Sequence, residues 1–291
     1  MNAVTDADSL HQAVRTWYVE HARDLPWRAP DASPWGVLVS EVMLQQTPVS
    51  RVLPAYEIWM ATWPTPKHLA EDAPGDAVRA WGRLGYPRRA LRLHASAIAI
   101  CERHGGEVPS DIDDLRALPG IGDYTAAAVA SFAFGQAHAV LDTNVRRVLE
   151  RVLGGAEFPP ASLNKAERER ARSLLPAADA PAWSVGVMEL GALVCTATSP
   201  RCADCPVQDL CAWKSAGRPA YAGAPRKVQT YAGTDRQCRG RLLAVLRDAP
   251  GTVSAAALVK AWSLDDQRDR ALESLLVDGL VVEDDGRYRL P

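Results

Sequence analysis

Four cysteines lie close together in the second half of the chain with the spacing of a metal site. They follow the pattern C-x6-C-x2-C-x5-C and are Cys195, Cys202, Cys205 and Cys211. Thiolates this close repel one another unless a cation binds them, and nothing in the sequence indicates the secreted setting in which disulfides persist. Zinc ribbons usually pair two C-x2-C knuckles, whereas here one knuckle is flanked by single cysteines. This arrangement favours a cubane-type iron–sulfur cluster, with zinc as the main alternative.

A second motif, Leu118-Pro-Gly-Ile-Gly-Asp-Tyr-Thr125, joins two helical stretches. Its Pro-Gly-x-Gly turn leaves backbone N–H groups at the start of the second helix, where they form a phosphate site that needs no side-chain charge. We predict that Gly120, Gly122 and Thr125 contact a nucleic-acid backbone there. A plain helix–turn–helix corner is the alternative, since glycine is common at helix ends.

Two carboxylates stand in settings that suit acid–base chemistry. Asp142 precedes an apolar-periodic helix, where a capping carboxylate belongs, and alone it would be only a cap. Glu41 would alone be a helix-surface carboxylate, but Val42, Met43 and Leu44 follow it. A carboxyl group in apolar surroundings favours its protonated form, which suits a general acid.

The elements that must position these groups are helices. Apolar spacing predicts helices over 10–21, 35–45, 76–82 and 88–104. Boundaries between helices are predicted at Pro26, Pro34, Pro48, Pro54, Pro64 and Pro66. Because no convincing β alternation is present before about residue 215, we expect this part to be all-α.

The last part of the chain has a different character. Residues 214–235 are rich in Gly, Ala and Pro without periodicity and are interpreted as a linker. Beyond them we predict helices over 239–247, 254–262 and 265–278, then two short strands around an Asp-Asp-Gly turn. This order is typical of a winged-helix-like α+β module, which binds DNA or protein about equally often, so its role stays open.

Composition restricts the class of protein. The chain has 291 residues with 47% hydrophobic and 23% charged residues, a globular balance. Its net charge is −2, so nucleic-acid affinity must come from a local patch. The candidates for that patch are Arg79, Arg83, Arg88, Arg89 and Arg92. No apolar run is long enough for a membrane span and the N-terminus lacks a signal-peptide pattern, so we expect a cytoplasmic protein.

The order of these motifs — glycine hairpin, aspartate, four cysteines — resembles the endonuclease III superfamily of DNA glycosylases. Four further strings narrow the resemblance to the MutY-type adenine DNA glycosylases. These are Pro26-Trp27-Arg28, Val39-Ser-Glu-Val-Met-Leu-Gln-Gln-Thr-Pro48, Gly82-Arg-Leu-Gly-Tyr86 and Met188-Glu-Leu-Gly-Ala-Leu-Val-Cys195. The similarity runs from about Trp17 to Cys211.

The resemblance implies an all-α helix-hairpin-helix DNA glycosylase fold and a [4Fe–4S] cluster held by the four cysteines. The implied domains are a six-helix barrel with the hairpin over 28–137, a cluster domain over 9–27 and 138–213, the linker 214–235, and the module 236–291. The implied partner is double-stranded DNA containing a mispair, bound by a monomer.

It also implies the reaction. Adenine is swung out of the helix, Glu41 protonates its ring nitrogen and then activates water, and Asp142 stabilises the oxocarbenium-like sugar. Trp27, Arg28 and Glu189 would line the base pocket, although core packing for Trp27 and a solvated helix face for Glu189 are alternatives. Gln45, Gln46 and Tyr86 would probe the mispair, Asn144 would support the catalytic loop, and Arg88 would hold a phosphate.

Tyr124 bears on whether the DNA strand is also cut. Relatives that cut the strand carry a lysine at this position, whose amine forms a Schiff base with the sugar. Because a phenol cannot do so, we predict a monofunctional glycosylase that removes adenine opposite 8-oxoguanine or guanine. MutY-type enzymes usually carry a Nudix-like domain that reads 8-oxoguanine, and the C-terminal module is too short for that fold.

Two other functions stay open. A thymine or uracil glycosylase for G·T and G·U mispairs would share the fold, the cluster and Tyr124. A non-catalytic iron–sulfur DNA-binding regulator would use the winged helix as its sequence reader. The presence of both Glu41 and Asp142 argues against the regulator, because it needs neither.

Overall fold

The computed structural model describes residues 3–223 and 231–291. By their contacts the residues form two compact units. One unit contains residues 1–32, 110–112 and 122–225, and the other contains 33–109, 113–121 and 226–291. Residues 224–230 of the predicted linker lie outside the described part of the chain. The domain bounds implied by the resemblance stay a prediction.

The described residues form fifteen α-helices. In chain order they are α1 (Ala3–His21), α2 (Pro34–Leu44), α3 (Val49–Thr62), α4 (Pro66–Glu71), α5 (Pro74–Trp81), α6 (Arg88–His104), α7 (Ile112–Ala117), α8 (Asp123–Phe134), α9 (Thr143–Leu149), α10 (Lys165–Ser173), α11 (Ala180–Leu193), α12 (Ala212–Ser215), α13 (Asp235–Asp248), α14 (Ala255–Ala261) and α15 (Asp265–Val277). Short 3-10 turns cover Pro26–Arg28, Cys202–Asp204 and Gln208–Leu210, and a π-helical turn, Glu150–Gly154, continues α9.

The first unit is built on α11, which packs against both α1 and α9. Their apolar faces meet in a core that includes Val14, Trp17, Val148 and Leu190. Helix ends in this unit are capped by side chains. The Asp142 side chain accepts from the amide of Val145 at the start of α9, and a reciprocal capping box of Asn164 and Glu167 begins α10.

The second unit packs α4 and α5 against α6, and α2 against α3. Three tryptophans fill its centre. Trp59 meets Trp63 edge to face with ring centres 4.6 Å apart and Trp81 with ring centres 5.6 Å apart. The walls of this core hold Leu38, Met43, Leu69, Leu93 and Ile100, all fully or almost fully buried.

The C-terminal residues of the second unit have the order helix, strand, helix, helix, strand, strand. The strands are β1 (Val253–Ser254), β2 (Val282–Asp284) and β3 (Arg287–Arg289), and they form an antiparallel sheet in the order β1-β3-β2. Val253 pairs with Tyr288, and Glu283 pairs with Tyr288 from the other side. Asp285 and Gly286, both with positive φ, make the tight turn between β2 and β3. This is the winged-helix-like α+β module that the sequence predicts, but with three strands where the sequence predicts two, since β1 lies just before α14.

The predicted fold class is confirmed: the described residues that precede the C-terminal module are all-α. The predicted helix over 88–104 has the same bounds in the structure. The helix predicted over 10–21 begins earlier, at Ala3, and the one predicted over 239–247 begins at Asp235, whereas the other predicted helices differ by one or two residues at their ends. Pro54 was wrong as a boundary, since it lies inside α3. Burial of Val52, Tyr56 and Trp59 on that helix outweighs the hydrogen bond that the proline removes. Within the described residues, no helix is both long and apolar enough to cross a membrane.

Candidate functional site

The glycine hairpin turns sharply between α7 and α8. Gly120 has a φ of +80°, and a Cβ there would lie 2.7 Å from the Cβ of Arg92, so only glycine fits. Gly122 precedes α8 as its N-cap, and a Cβ there would meet none of the described residues within 4 Å. Thr125 is buried at 3% exposure, and its predicted phosphate contact stays a prediction. The turn thus presents open backbone at a helix N-terminus.

Asp142 is held by a short hydrogen-bonded chain. Its Oδ1 accepts from the Val145 amide at 2.6 Å and its Oδ2 accepts from Asn144 Nδ2 at 2.8 Å. Arg147 donates from Nη2 to Asn144 Oδ1 at 2.8 Å and from Nε to the carbonyl of Cys195, also at 2.8 Å. Burial raises the pKa of Asp142, against the lowering effect of the Val145 and Asn144 hydrogen bonds. The carboxylate is therefore both oriented and partly desolvated.

Glu189 lies at the centre of an arginine pair. It is fully buried on α11, which excludes the solvated helix face considered for it. Arg23 donates from Nε to Oε1 at 2.7 Å and from Nη2 to Oε2 at 2.8 Å, and Arg28 Nη2 reaches Oε2 at 3.0 Å. Burial raises the pKa of Glu189, but the hydrogen bonds from Arg23 and Arg28 outweigh it and lower the pKa to about 2. Glu189 is thus ionised at neutral pH and orients both guanidinium groups.

Arg28 keeps one donor available. Its Nη1 is buried and has no hydrogen-bond partner among the described residues, although the side chain as a whole is 17% exposed. An unsatisfied buried N–H costs free energy unless a ligand supplies an acceptor. Trp27, directly before it, is buried at 7% exposure. Arg28, a residue predicted to line the base pocket, therefore has an N–H donor that lacks a hydrogen-bond partner among the described residues.

Glu41 lies in the second unit. It is 5% exposed on α2, between the buried residues Ser40 and Val42. The burial agrees with the apolar setting that the sequence indicates. Asp142 lies in the first unit.

Arg89 connects the loop of Gln45 and Gln46 to the loop of Tyr86, and these are the residues predicted to probe the mispair. From Nη1 it donates to the carbonyls of Val42 at 2.8 Å and Gln45 at 2.6 Å, and from Nη2 to the carbonyl of Gly85 at 3.0 Å. Because desolvation disfavours the charge, the pKa of Arg89 falls to about 10. Arg89 is 7% exposed, so its predicted place in the phosphate-binding patch was wrong.

The two loops are strained where the mispair residues stand. Gln46 has a φ of +55° and Tyr86 has a φ of +47°, a region that residues other than glycine rarely adopt. Tyr86 is 44% exposed. Strained backbone conformations of this kind are common at ligand-binding and switch sites.

The four predicted ligand cysteines line one cavity. Its volume is about 370 Å³, which includes solvent-open space, and its walls also include Arg151, Val194, Val207 and Trp213. Arg151, 1% exposed, donates to Cys195 Sγ at 3.4 Å. Within the described ranges, no three Cys, His, Asp or Glu side chains converge on a point as a single metal ion requires. The four cysteines are grouped on one cavity, where they would hold a multi-atom iron–sulfur cluster.

Burial also acts on the thiols themselves. Burial raises the pKa of Cys205 to about 11 and raises the pKa of Cys195, where the Arg151 hydrogen bond opposes it. A bound cation would offset this effect, because metal ligation stabilises the thiolate form.

The structure thus brings together Arg28 with Glu189, and Asp142 with Asn144. Arg88, which was predicted to hold a phosphate, forms an ion pair with Asp278 at 3.2 Å, and its side chain is 55% exposed. The sequence reasoning missed Arg23, Arg147 and Arg151. No local signal identifies them, since Arg23 lies 166 positions from its partner Glu189.

Comparisons with known proteins agree with this geometry. The family model "HhH-GPD superfamily base excision DNA repair protein" matches residues 39–174, and the iron–sulfur binding domain of endonuclease III matches residues 195–211. The chain is 54% identical over 277 residues to the adenine DNA glycosylase of Mycolicibacterium smegmatis, covering 94% of each chain. It is 37% identical to the thymine-DNA glycosylase of Aeropyrum pernix over 70% of this chain and 93% of that protein.

A solved structure shares the fold. The structure of a thermostable thymine-DNA glycosylase superposes with a TM-score of 0.66 and 27% identity, covering 73% of this chain and 98% of the other. The helix-hairpin-helix architecture that the resemblance implied is therefore confirmed for the part of the chain that precedes the C-terminal module.

Proposed function

The chain belongs to the adenine DNA glycosylases of the HhH-GPD base excision DNA repair superfamily, and we propose that it hydrolyses the N-glycosidic bond of adenine mispaired with 8-oxoguanine or guanine. The substrate is double-stranded DNA. The observation that carries this proposal is the 54% identity to the mycobacterial adenine DNA glycosylase over 94% of both chains. The site geometry supports it, because each chemical task of the reaction has a suitable side chain.

The first task is to make adenine a better leaving group. Glu41 is 5% exposed, and the buried setting suits a carboxylic acid that delivers a proton to a ring nitrogen. Arg28 suits the base pocket, since its unpaired Nη1 would donate to an acceptor on an extruded base. Glu189 keeps that guanidinium in place through Oε2.

The second task is to stabilise the positive charge that develops on the sugar. Asp142 would do so, or bond to the sugar transiently, because its carboxylate is oriented by Val145 and Asn144. Water activated by Glu41 then completes the hydrolysis. Gln45, Gln46 and Tyr86 would probe the stack around the mispair from loops that Arg89 holds.

The chain carries a [4Fe–4S] cluster, and Cys195, Cys202, Cys205 and Cys211 are the residues that would hold it. When bound, the cluster supplies four iron–thiolate bonds that cross-link the loops of the first unit. The Arg147 hydrogen bond to the Cys195 carbonyl connects this region to Asn144. The cluster's role in our proposal is structural.

We expect cleavage of the base only. Tyr124 occupies the hairpin position where strand-cutting relatives have a lysine amine. Borohydride should therefore fail to trap wild-type protein on DNA, whereas efficient trapping would show a Schiff base and overturn this part of the proposal. The predicted monomeric state is checked by sedimentation of the protein alone, and the cytoplasmic location stays a prediction.

The proposal is tested by single-turnover excision on four duplexes, with A opposite 8-oxoguanine, A opposite guanine, T opposite guanine and U opposite guanine. We expect adenine release, with strand scission only after alkali. The similarity to thymine-DNA glycosylases motivates the second candidate, a G·T and G·U mispair glycosylase. Thymine or uracil release with adenine untouched would select that candidate.

A further inference from the structure

One arginine of the predicted phosphate-binding patch lies directly against the glycine hairpin. A Cβ at Gly120 would lie 2.7 Å from Cβ, 3.2 Å from Cγ and 2.8 Å from Cδ of Arg92 on α6. The aliphatic part of the Arg92 side chain therefore fills the space that a side chain at position 120 would need. Since Nε is bonded to Cδ, the guanidinium group begins beside the turn, and its stem is packed on protein.

A second contact fixes α6 against the same turn. The Ser96 hydroxyl lies one helical turn beyond Arg92 on the same face of α6, and it donates to the carbonyl of Pro119 at 2.6 Å. Ser96 is fully buried. Two positions on one helix face thus lie against two consecutive residues of the hairpin, Pro119 and Gly120. The Arg92 side chain is therefore held in a defined place relative to the turn.

The guanidinium group of Arg92 has its donors available. The residue is exposed, and within the described ranges it has no ion pair and no hydrogen bond. Three other arginines of the patch are already engaged: Arg79 donates to backbone carbonyls, Arg88 pairs with a carboxylate, and Arg89 is buried. A guanidinium with free donors on an ordered stem is well suited to bind an anion.

The setting of Arg92 indicates which anion this would be. The hairpin is the element that we expect to meet a nucleic-acid backbone, and a guanidinium can bind a phosphate through two parallel hydrogen bonds. The chain has a net charge of −2, so its attraction to DNA depends on local cations of this kind.

We propose that Arg92 binds one DNA backbone phosphate beside the hairpin. It adds a charged side-chain contact to a motif that was predicted to use backbone N–H groups. Such a contact fixes the register of the duplex on the protein and neutralises one phosphate, but it reads no base. The inference deepens the proposed function and rests on it for duplex DNA as the substrate.

The test measures equilibrium binding with and without the guanidinium group. Arg92→Met removes the charge but keeps an unbranched apolar stem against Gly120, so its melting temperature should equal that of wild type. The probes are a duplex with a tetrahydrofuran abasic analogue opposite guanine and the matching undamaged duplex. We expect binding of both duplexes to weaken by one factor, about five- to tenfold. The slope of the log binding constant against log salt should become shallower by about 0.9.

Neutral phosphates locate the contact. A methylphosphonate replaces one backbone phosphate at a time around the abasic site. Wild type should lose affinity at the phosphate that Arg92 binds, whereas Arg92→Met should lose no further affinity there. Equal losses for the two proteins at every position would overturn the proposal, as would unchanged binding by Arg92→Met or a loss confined to the abasic duplex.

Two further variants serve as controls. Arg103→Ala removes the same charge from an exposed position about 16 Å further along α6, and it should bind both duplexes like wild type. Arg92→Lys keeps the charge but not the planar group, so it should lose part of the affinity and keep the salt slope of wild type. A loss for Arg103→Ala equal to that for Arg92→Met, or a shallow slope for Arg92→Lys, would contradict a phosphate contact at Arg92.

None of these measurements requires excision. A protein that bound both duplexes in this way but released no adenine would contradict the proposed function and leave the assignment of Arg92 standing.

Discussion

At the scale of single residues, Asp142 has two tasks with different requirements. As a helix cap it needs only an oxygen that accepts from the Val145 amide, and asparagine would serve equally. As the proposed stabiliser of a sugar cation it needs a negative charge. Burial makes that charge costly, and the Asn144 amide offsets part of the cost. The ionised Asp142 that the proposed reaction needs therefore lowers the stability of the folded protein.

Asp142→Asn separates the two tasks. We expect single-turnover adenine excision to fall at least 100-fold, because the electrostatic stabilisation is lost. Since the pKa of Asp142 is raised on folding, its ionised form lowers stability at pH values above that pKa, and the variant should unfold at an equal or higher urea concentration at neutral pH. A fully active variant would contradict the assigned role.

The pH dependence gives an independent readout for the same residue. Excision should fall on the acid side at a pH above the ordinary aspartate value of about 3.9, because Asp142 must be ionised. Asn144→Ala removes a hydrogen bond that favours the charged form, so this acid limb should move to higher pH. An unchanged profile would show that Asn144 does not act through Asp142.

Glu189 supplies a prediction about stability against pH. Its pKa is lowered from 4.5 to about 2 on folding, so it stabilises the protein above pH 4.5 and this contribution disappears as the pH falls toward 2. Glu189→Gln should cost on the order of 3 kcal/mol at neutral pH, measured by urea unfolding. The difference from wild type should shrink between pH 5 and pH 2; a difference independent of pH would contradict the ionic explanation.

At the scale of elements, α9 and α11 approach so closely that one glycine is required. A Cβ at Gly191 would lie 2.7 Å from the Cβ of Asn144, and the Gly191 carbonyl accepts from Arg147 at 2.7 Å. The spacing of the two helices therefore sets the position of Asn144, and through it that of Asp142.

Gly191→Ala should consequently reduce excision about tenfold or more, because a displacement of about 1 Å near the reacting groups is costly. Gly186→Ala is the matched control on the same helix, since its Cβ would meet Val14 at 2.9 Å and not Asn144. Both variants should lose stability, but only Gly191→Ala should lose rate at a temperature where both are folded. Equal rates for the two variants would exclude this positioning effect.

At the scale of the whole molecule, we expect the iron–sulfur cluster and the residues around it to stabilise the first unit. The four cysteines lie in the segment between α11 and α12. Arg151 donates hydrogen bonds to the carbonyls of Glu157 and Thr196. Metal binding of this kind contributes directly to folding free energy.

Cys202→Ser should therefore lower the iron content below about four per chain, remove the visible charge-transfer absorption and reduce the melting temperature. Cys101→Ser, which changes a thiol on α6 of the other unit, should keep iron, absorption and melting temperature. A colourless wild-type protein with one zinc per chain would contradict the iron–sulfur assignment.

The sequence by itself determined what is local. Helix positions, the glycine hairpin, the capping Asp142, the cysteine spacing and the Asp-Gly turn all follow from residues that are close together in the sequence. Most of the fold was predictable on this basis, including the α+β module. Pro54 is the exception, because packing of α3 outweighed a local rule.

Only the tertiary structure decided how distant groups pair. Arg23 with Glu189, Arg89 with Gln45 and Arg236 with Tyr86 join residues that are 166, 44 and 150 positions apart. No periodic pattern encodes such pairs, since an exposed arginine and a buried one look alike in sequence. Desolvation, which sets the pKa of Asp142 and Glu189 and removes Arg89 from the phosphate-binding patch, depends on every neighbour in space and exists only once the chain has folded.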